Sequence, residues 1–420
     1  MPKTATGMSA PARNPLGLLL GATVISGLAG YVVTWLAFRF LGSAPYEQFA
    51  VFWSAFFLLA GAFSGVQQEY SRATSTRALM PKSQPKSARA GLFALATALV
   101  IMLVAFGSSP AWMPVVFQGP WVLWAMPFAL GIAASIVMSA TAGSLYGIGS
   151  WKIIAALIAG EGILRLAFIG LGLGAGWPLS VLAWLVVIPG PVSLVLLSRV
   201  LVRRLRGTTQ LDVTYAGLSW NVSRTVLASF ATGVLVSGFP VVLGATSHGE
   251  PATTLGDLIF MITLTRAPLI VTVMALQSFL VVQFRNRRHA ATRLLLGISG
   301  TIGGVTVVAS LLAFLVGAPV LDLVAGRVVV QDIWLVVLLV ASSGIVAILQ
   351  VTGAYLLADS HHAAYSTGLA VAAAATVGLL LTPLDLIARV ELSLIVAPLI
   401  GLVTHAAFGL YFRLSRRQTR

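Results

Sequence analysis

The chain has 420 residues, of which 58% are hydrophobic and only 9% are charged. This composition excludes an ordinary soluble domain and predicts a polytopic membrane protein. The net charge of +15 does not indicate a nucleic-acid-binding protein, because the basic residues stand in short runs between apolar segments, where the positive-inside rule accounts for them. The lack of cysteine excludes disulfides, thiolate metal sites and cysteine nucleophiles. The abundance of arginine and alanine is typical of a GC-rich bacterial genome.

Twelve apolar segments are predicted to be transmembrane helices, because lipid offers no partners for a backbone that does not close its own hydrogen bonds. The connections between them are too short for a sizeable soluble domain. The sixth segment is interrupted by Pro189-Gly190-Pro191. In chain order the predicted spans are residues 16–38, 49–66, 91–106, 122–146, 153–173, 179–197, 222–243, 258–282, 294–316, 334–357, 367–381 and 392–412.

The eighth predicted span contains Arg266, eight residues from its start, which is roughly 12 Å below one membrane surface. An arginine at that depth costs at least about 2.5 kcal/mol, so it is expected to face protein or a water-filled cavity. Gln277 is eleven residues further on, close to three helical turns, and shares that side. The span ends in an arginine-rich run at 285–293, which marks the cytoplasmic side.

The distribution of charge predicts the orientation of the whole chain. Most basic residues fall in the tails and connections on the side of that arginine-rich run, whereas Arg39, Arg327 and Arg389 fall on the other side. Both termini are therefore predicted to lie in the cytoplasm of a bacterium, with the chain in its cytoplasmic membrane. Acidic residues are expected mainly outside: Glu47, Glu250, Asp257, Asp322, Asp332, Asp385 and Glu391.

A weak internal repeat relates the two halves of the chain. TAGSLYGIGSWK at 141–152 resembles TGAYLLADSHHA at 352–363, and GVQQEYSR at 65–72 resembles LVVQFRNR at 280–287. Six helices per half give parallel repeats related by an axis along the membrane normal. The predicted fold is therefore an all-α membrane protein with two six-helix lobes, residues 1–206 and 207–420, around a central cleft.

Two further arginines lie within predicted spans. Arg165 follows Glu161 at i, i+4, so the two side chains are expected to neutralise each other as a structural pair, with a coupling role left open. Arg224 is close to the inner end of the seventh span, where it can snorkel to the interface or meet a head group.

The second span carries Gly61, Gly65, Gln68 and Arg72 on one stripe. Two interpretations remain open for this stripe, namely close helix packing and a polar track at the cytoplasmic mouth of a cleft. No catalytic or metal-binding motif is predicted, since no phosphate-binding GxxxxGK[ST] loop exists and the adjacent His361 and His362 point in different directions on a helix. No cofactor and no nucleic-acid partner are predicted.

Three segments carry a family resemblance: LGSAPYEQFAVFWSAFFLLAGAFSGVQQEYSR (41–72), FLVGAPVLDLVAG (314–326) and GAYLLADSHH (353–362). Together they resemble the polysaccharide-exporter branch of the multidrug/oligosaccharidyl-lipid/polysaccharide (MOP) flippase superfamily, from which the chain departs at Glu47-Gln48, where a glycine usually follows the tyrosine. The resemblance implies alternating access that moves a polyprenyl-(di)phosphate-linked glycan to the outer leaflet. It also implies that Arg266, Gln277, Gln68 and Arg72 meet phosphate and sugars, and that Arg39 guides release.

Four functions stay open at this stage. The first is this flippase, a membrane transporter and not an enzyme, whose partners are the lipid-linked glycan, membrane lipids and other cell-envelope biosynthesis proteins. The second is a drug or small-molecule exporter of the same fold, and the third is a non-transporting scaffold for cell-envelope synthesis. The fourth is a glycosyltransferase or ligase, for which Asp322, Asp332 and Asp385 are the candidate carboxylates.

Overall fold

The computed structural model describes residues 15–77, 88–117, 120–206, 210–247, 249–330, 332–359 and 361–418. In these ranges the chain forms fifteen α-helices, and the remaining regular structure is a 3₁₀ turn at Arg288–Ala290 and an antiparallel bridge between Arg89 and Gln210. The helices are α1 (Pro15–Leu41), α2 (Ser43–Ala62), α3 (Ser64–Arg77), α4 (Ala90–Val116), α5 (Val122–Gly147), α6 (Trp151–Gly174), α7 (Leu179–Val187), α8 (Pro189–Leu205), α9 (Tyr215–Val236), α10 (Phe239–Thr246), α11 (Ala252–Asn286), α12 (Ala291–Ala325), α13 (Ile333–Ala358), α14 (His362–Leu380) and α15 (Leu386–Gln418).

The predicted all-α, multi-pass membrane fold is confirmed. Ten helical segments among the described residues are long and apolar enough to cross a bilayer, and the bent pair α9–α10 makes an eleventh. The predicted eighth span lies within α11, a continuous helix of 35 residues. The predicted break at Pro189 is also present, because α7 ends at Val187 and α8 begins at Pro189.

The second span is longer than predicted. The chain continues as helix α3 to Arg77, with a single interruption at Phe63, although the predicted span ended at residue 66. Two features stabilise this extension: Glu69 and Arg72 form an i, i+3 ion pair, and one face of α3 packs on α5. Gln68 and Arg72 therefore lie on a helix and not in a loop.

The seventh span is not one helix, and this part of the prediction is wrong. α9 and α10 meet at Ser237–Gly238 with a bend of 71°. Pro240 lies in the first turn of α10 and has no backbone N–H, so a helix continuing from α9 would lose a hydrogen bond there. A second helix instead starts at Phe239.

Helices α1–α8 contact mainly one another, and helices α11–α15 contact mainly one another. We call these the first set and the second set of helices. In the first set α1 packs on α6 and α5 packs on α3 and α4; in the second α13 packs on α11, α12 and α15. Between the sets, α2 contacts α9, α10 and α11, while α3 contacts α9 and α1 contacts α11. We call the end of the bundle where α1 ends and α2 begins the upper end, and the end where α3 ends the lower end.

Gly65 permits the close approach of α3 to α9. A Cβ placed on Gly65 would lie 2.4 Å from the backbone carbonyl carbon of Thr225, whereas a Cβ on Gly61 would meet nothing within 4 Å. The hydroxyl of Thr225 donates to the Gly65 carbonyl oxygen across the same contact, at 2.9 Å. The packing interpretation of the glycine stripe therefore holds at Gly65 and not at Gly61.

We expect Gly65→Ala to lower the stability of the protein by about 1–3 kcal/mol, because backbone cannot move aside for the added methyl. Gly61→Ala is the matched control and should be neutral or slightly stabilising, since alanine has the higher helix propensity. The thermal midpoint of each purified variant in detergent measures the difference. Equal midpoints for the two variants would show that the α3–α9 contact is not tight.

Candidate functional site

A group of polar and aromatic side chains joins α1 and α2 to α11 and α12 at the upper end. The Ser43 hydroxyl donates to Asp257 Oδ1 at 2.6 Å, and the Arg327 guanidinium donates to both Ser43 and Asp257. Beside them Phe38 stacks on Phe260 with ring centroids 3.8 Å apart. We call these five residues the upper latch. They hold the two sets of helices together at this end.

Arg39 lies next to the upper latch, at the end of α1 where it was predicted. Its Nη1 donates to the carbonyl oxygen of Ala325 at 3.2 Å, and the indole of Trp35 donates to that of Val324 at 2.9 Å. Gly326 follows with a φ of +74°, and the Arg39 guanidinium occupies the space that a Cβ would take at this position. Only glycine suits both demands. In this conformation Arg39 caps the end of α12.

Arg266 is buried in the middle of α11, with 6% of its surface exposed. Its guanidinium lies over the ring of Phe239, at the start of α10, with 5.9 Å between Cζ and the ring centroid. Its Nε is fully buried and has no hydrogen-bond partner among the described residues, and no carboxylate there pairs with it. A buried guanidinium without a counter-ion is unfavourable, and an anion-binding role for Arg266 stays a prediction.

Glu47 is a second buried charge-bearing group, which the sequence analysis missed because it was assigned to the outside. It lies one turn into α2 and is 3% exposed. Its Oε2 is buried with no hydrogen-bond partner among the described residues, and its Oε1 lies against Gly244 of α10. The signal in the sequence was Ser43 followed by Pro45, a pattern that starts a helix and so places Glu47 inside it.

Polar contacts also join the two halves at the lower end. Arg72 binds Glu69 through Nε and Nη2 at 2.9 and 2.7 Å, and its Nη1 binds Asp212 at 2.8 Å. The amide of Asn221 on α9 donates to Glu69 at 2.8 Å. We call these four residues the lower clasp. Arg72 is half-exposed here and its charge is matched by carboxylates.

Three more predicted residues lie near the lower half of the bundle. Gln68 is exposed on α3 and its amide is 3.5 Å from the Ser229 hydroxyl of α9. Arg224 is exposed on α9 with no ion pair to the described residues, and its interfacial position stays a prediction. Gln277 lies on α11 with its amide 3.5 Å from the Tyr365 hydroxyl of α14. The substrate role of these residues stays a prediction.

The expected ion pair between Glu161 and Arg165 is present. Nη2 of Arg165 donates to Glu161, and Nε donates to the Val186 carbonyl oxygen at 3.0 Å. The guanidinium also lies 4.9 Å from the centroid of the Phe57 ring. Arg165 is 6% exposed and has a full set of local partners, so its contacts are those of a structural residue.

Breaking this pair from one side is expected to cost more than removing it entirely. Arg165→Met should destabilise the protein by about 2 kcal/mol, because Glu161 is left partly buried without a counter-charge. Adding Glu161→Gln to that variant should restore part of the lost stability, as measured by the thermal midpoint of the purified protein. A double variant less stable than Arg165→Met would instead assign Glu161 a stabilising partner other than Arg165.

The three aspartates considered for a ligase each accept hydrogen bonds from nearby backbone N–H groups. Asp322 accepts from the backbone N–H of Val329 at 2.8 Å, Asp332 caps the start of α13, and Asp385 accepts from the backbone N–H of Ala388 at 3.0 Å. Each has a local structural role. Within the described ranges no group of three His, Cys, Asp or Glu side chains is placed to hold a metal ion.

An apolar groove of about 460 Å³ lies on the outside of the first set of helices. It is lined by residues of α4 and α5 and by the break between α7 and α8, among them Met102, Leu130, Trp184 and Pro191. None of the predicted site residues lines it. The predicted residues instead lie at three levels: Arg39 at the upper end, Arg266 and the Glu161–Arg165 pair in the middle, and Gln68, Arg72, Arg224 and Gln277 towards the lower end.

The fold is that of the MOP-superfamily transporters. The chain superimposes on a multidrug resistance MATE-family transporter in an inward-facing conformation with a TM-score of 0.71, covering 99% of this chain and 97% of that one at 13% identity. It superimposes on the lipid II flippase MurJ in an inward closed conformation with a TM-score of 0.72, covering 94% and 87% at 12% identity. An outward-facing MATE-family transporter gives a TM-score of 0.64, with full coverage of both chains.

Sequence comparison identifies full-length relatives in mycobacteria. The uncharacterised protein Rv3630 of Mycobacterium tuberculosis is 31% identical over 390 residues, which is 91% of this chain and 89% of the relative. The uncharacterised protein Rv1510 of the same species is 30% identical over 409 residues, covering 96% and 93%. No family model matches the chain. The chain belongs to the family of membrane proteins that includes these two mycobacterial relatives.

Proposed function

We propose that this protein is a flippase that moves a polyprenyl-(di)phosphate-linked saccharide, or a related cell-envelope glycolipid, from the cytoplasmic to the outer leaflet. The buried guanidinium of Arg266, which has an unsatisfied Nε and no carboxylate partner among the described residues, carries the proposal. A planar guanidinium donates two parallel hydrogen bonds to a phosphate, which supplies the counter-charge that the protein lacks around this residue. A positive interior does not suit cationic drugs, which argues against a drug exporter.

The contacts between the helix sets support an alternating-access mechanism. We take residues 1–206 and 207–420 as two lobes, the upper end as the outside of a bacterial cytoplasmic membrane, and both termini as cytoplasmic. On this assignment the upper latch closes the outer side, and the lower clasp joins the lobes on the cytoplasmic side and has to open for substrate to enter. The higher TM-scores against inward structures than against the outward-facing transporter agree with a closed outer side.

In this scheme the lower clasp opens first, and the glycolipid head group then enters a cleft between the lobes from the lower end. Gln68, Arg224 and Gln277 contact sugar hydroxyls and phosphate on entry, and Arg266 binds phosphate in the middle of the membrane. Arg39 is released from Ala325 when the upper latch opens and guides the head group out. The isoprenoid tail stays among membrane lipids throughout, and enzymes of cell-envelope synthesis supply and consume the substrate.

A second candidate is a non-transporting scaffold that assembles cell-envelope enzymes. The observation that favours it is the small exposure of Arg266, whose guanidinium rests on the Phe239 side chain of a neighbouring helix. In a scaffold this closed arrangement would be permanent. In a flippase it belongs to one state of a cycle, and α10 has to move before phosphate reaches Arg266.

Depletion of the protein followed by a leaflet-resolved assay of lipid-linked sugars separates the two functions. The flippase predicts that lipid-linked saccharide accumulates in the cytoplasmic leaflet while its synthesis continues. The scaffold predicts loss of synthesis with an unchanged distribution between leaflets. Purified protein in proteoliposomes containing a polyprenyl-diphosphate-linked saccharide gives a direct second measurement, in which an unchanged flipping rate relative to empty liposomes contradicts the flippase.

A further inference from the structure

The α2–α10 contact near the upper end contains a carboxylate with no partner of opposite charge. Glu47 is 3% exposed, and its Oε2 is buried without a hydrogen-bond donor among the described residues. A Cβ placed on Gly244 would lie 3.5 Å from Glu47 Oε1 and 3.0 Å from Val51 Cγ2. The carboxyl group therefore lies beside the backbone of α10 at Gly244 and close to the apolar side chain of Val51.

The charged groups on the helices around α2 are engaged elsewhere. Neither α7 (Leu179–Val187) nor α10 (Phe239–Thr246) contains a titratable residue. On the remaining elements the groups and their partners are Tyr31 with Leu264, Arg39 with Ala325, Asp257 with Ser43 and Arg327, Arg266 over Phe239, and Arg389 with Thr246, Ser247 and Glu250. The titratable residues towards the lower end are Glu69, Tyr70, Arg72 and Arg77 on α3, Tyr146 on α5, and Tyr215 and Arg224 on α9. Among the described residues the adjacent Tyr46 hydroxyl and the Arg389 Nε are buried without a hydrogen-bond partner.

An ionised carboxylate in such surroundings is strongly unfavourable, whereas the neutral acid is tolerated. The contact between α2 and α10 is close to the upper latch, because Ser43 of the latch is one helical turn from Glu47. Opening of the upper end separates these helices and admits water, where a glutamate at neutral pH gives up its proton.

We propose that Glu47 is a proton-binding site that sets the equilibrium between the closed and open states of the upper end. The closed state holds one proton that the open state releases, so acidification outside favours closure and alkaline conditions favour opening. One linked proton changes the ratio of the two states by up to about tenfold per pH unit. The site deepens the proposed function, since it acts on the alternating-access equilibrium on which that function rests.

Helix α10 connects this site to Arg266. Its first residue, Phe239, lies against the Arg266 guanidinium, and Gly244 five residues later lies against Glu47. A short helix of 8 residues therefore contacts both the unpartnered acid and the unpartnered base. Movement of α10 that admits water to Glu47 also uncovers Arg266, which links proton release at one end to exposure of the anion site at the other.

The experiment measures the state of the upper end without any substrate. Because the chain has no cysteine, spin labels can be attached at Phe40→Cys on α1 and Leu323→Cys on α12, two positions that are 58% and 81% exposed near the upper end. Double electron–electron resonance in lipid nanodiscs then gives the distribution of distances between the two labels at pH values from 5 to 8.5. We expect the short distance of the closed state to dominate at low pH. As the pH rises, the ratio of the population with a longer distance to the population with the short one should increase by up to about tenfold per pH unit.

The variants make the assignment specific to Glu47. Glu47→Gln keeps the neutral shape and should hold the short distance at every pH, while Glu391→Gln, the same change elsewhere, should keep the pH profile of the parent. If Glu47→Gln is not monodisperse, Glu47→Met provides the neutral side chain. A parent without pH dependence, or a Glu47→Gln protein with the parent's profile, overturns the proposal. If exchanging Na⁺ for K⁺ at constant pH changes the distance distribution, the bound ion is not a proton and the proposal is overturned. None of these outcomes depends on whether the flippase assay succeeds.

Discussion

Replacement of Arg266 by leucine is expected to reduce flipping of a polyprenyl-diphosphate-linked saccharide to the level of empty liposomes while leaving the fold intact. Two charge-assisted hydrogen bonds to phosphate are lost, which corresponds to roughly 3 kcal/mol or more, and so to a rate at least about 100-fold lower. Stability should not fall. The Arg266 Nε is buried without a partner, so leucine removes an unfavourable charge from the interior and the thermal midpoint should stay equal or rise.

This combination of lost transport and retained stability distinguishes an anion site from a structural arginine. Arg199→Leu is the matched control, since Arg199 is exposed on α8 and belongs to no proposed site. Arg266→Lys should keep part of the activity, because lysine retains the charge and loses the planar fork. Transport at the parental rate by Arg266→Leu would exclude the proposed role, and a large loss of stability would assign Arg266 to packing instead.

The membrane fold was predictable because the hydrophobic requirement of lipid is visible in any window of about twenty residues. What hydropathy does not register is the backbone chemistry inside a span. The bend between α9 and α10 depends on Pro240 and on the Ser237–Gly238 junction, which are as apolar or small as their neighbours. The helical extension α3 was missed for the opposite reason. Its sequence is polar, but Glu69 and Arg72 carry opposite charges and pair along one face of the helix.

The candidate site was less predictable, because the partners of charged side chains come from distant parts of the sequence. Arg72 pairs with Asp212, 140 residues away, and Arg327 with Asp257, 70 residues away. The pair Glu161–Arg165 was found because an i, i+4 spacing is local. Arg266 was found because its depth in a span is a property of the sequence alone, and Glu47 was missed because its helix was started too late, at residue 49.

The upper latch provides the second large effect, since a covalent bond across it should stop transport reversibly. The side chains of Ser43 on α2 and Asp257 on α11 are in direct contact, with Oγ and Oδ1 2.6 Å apart, so cysteines at these two positions are adjacent across the latch and their oxidation to a disulfide is checked by mass spectrometry. Oxidation of Ser43→Cys/Asp257→Cys should hold the upper end closed and reduce flipping to background, and a reductant should restore it. No other thiol exists in the chain to compete.

A disulfide within one helix set is the control for this experiment. Ser26 on α1 and Gly162 on α6 are adjacent within the first set, where a Cβ on Gly162 would lie 3.0 Å from the Cβ and 2.7 Å from the Cα of Ser26. The two helices have to move slightly apart to fit this disulfide, so the oxidised double variant is compared with its own reduced form. Oxidation of Ser26→Cys/Gly162→Cys should leave flipping close to its reduced rate. Mass spectrometry confirms each crosslink, and the single-cysteine variants should be insensitive to oxidant. If the fully crosslinked Ser43–Asp257 pair still flips substrate, the two sets of helices do not separate at the upper end, and alternating access through that end is wrong.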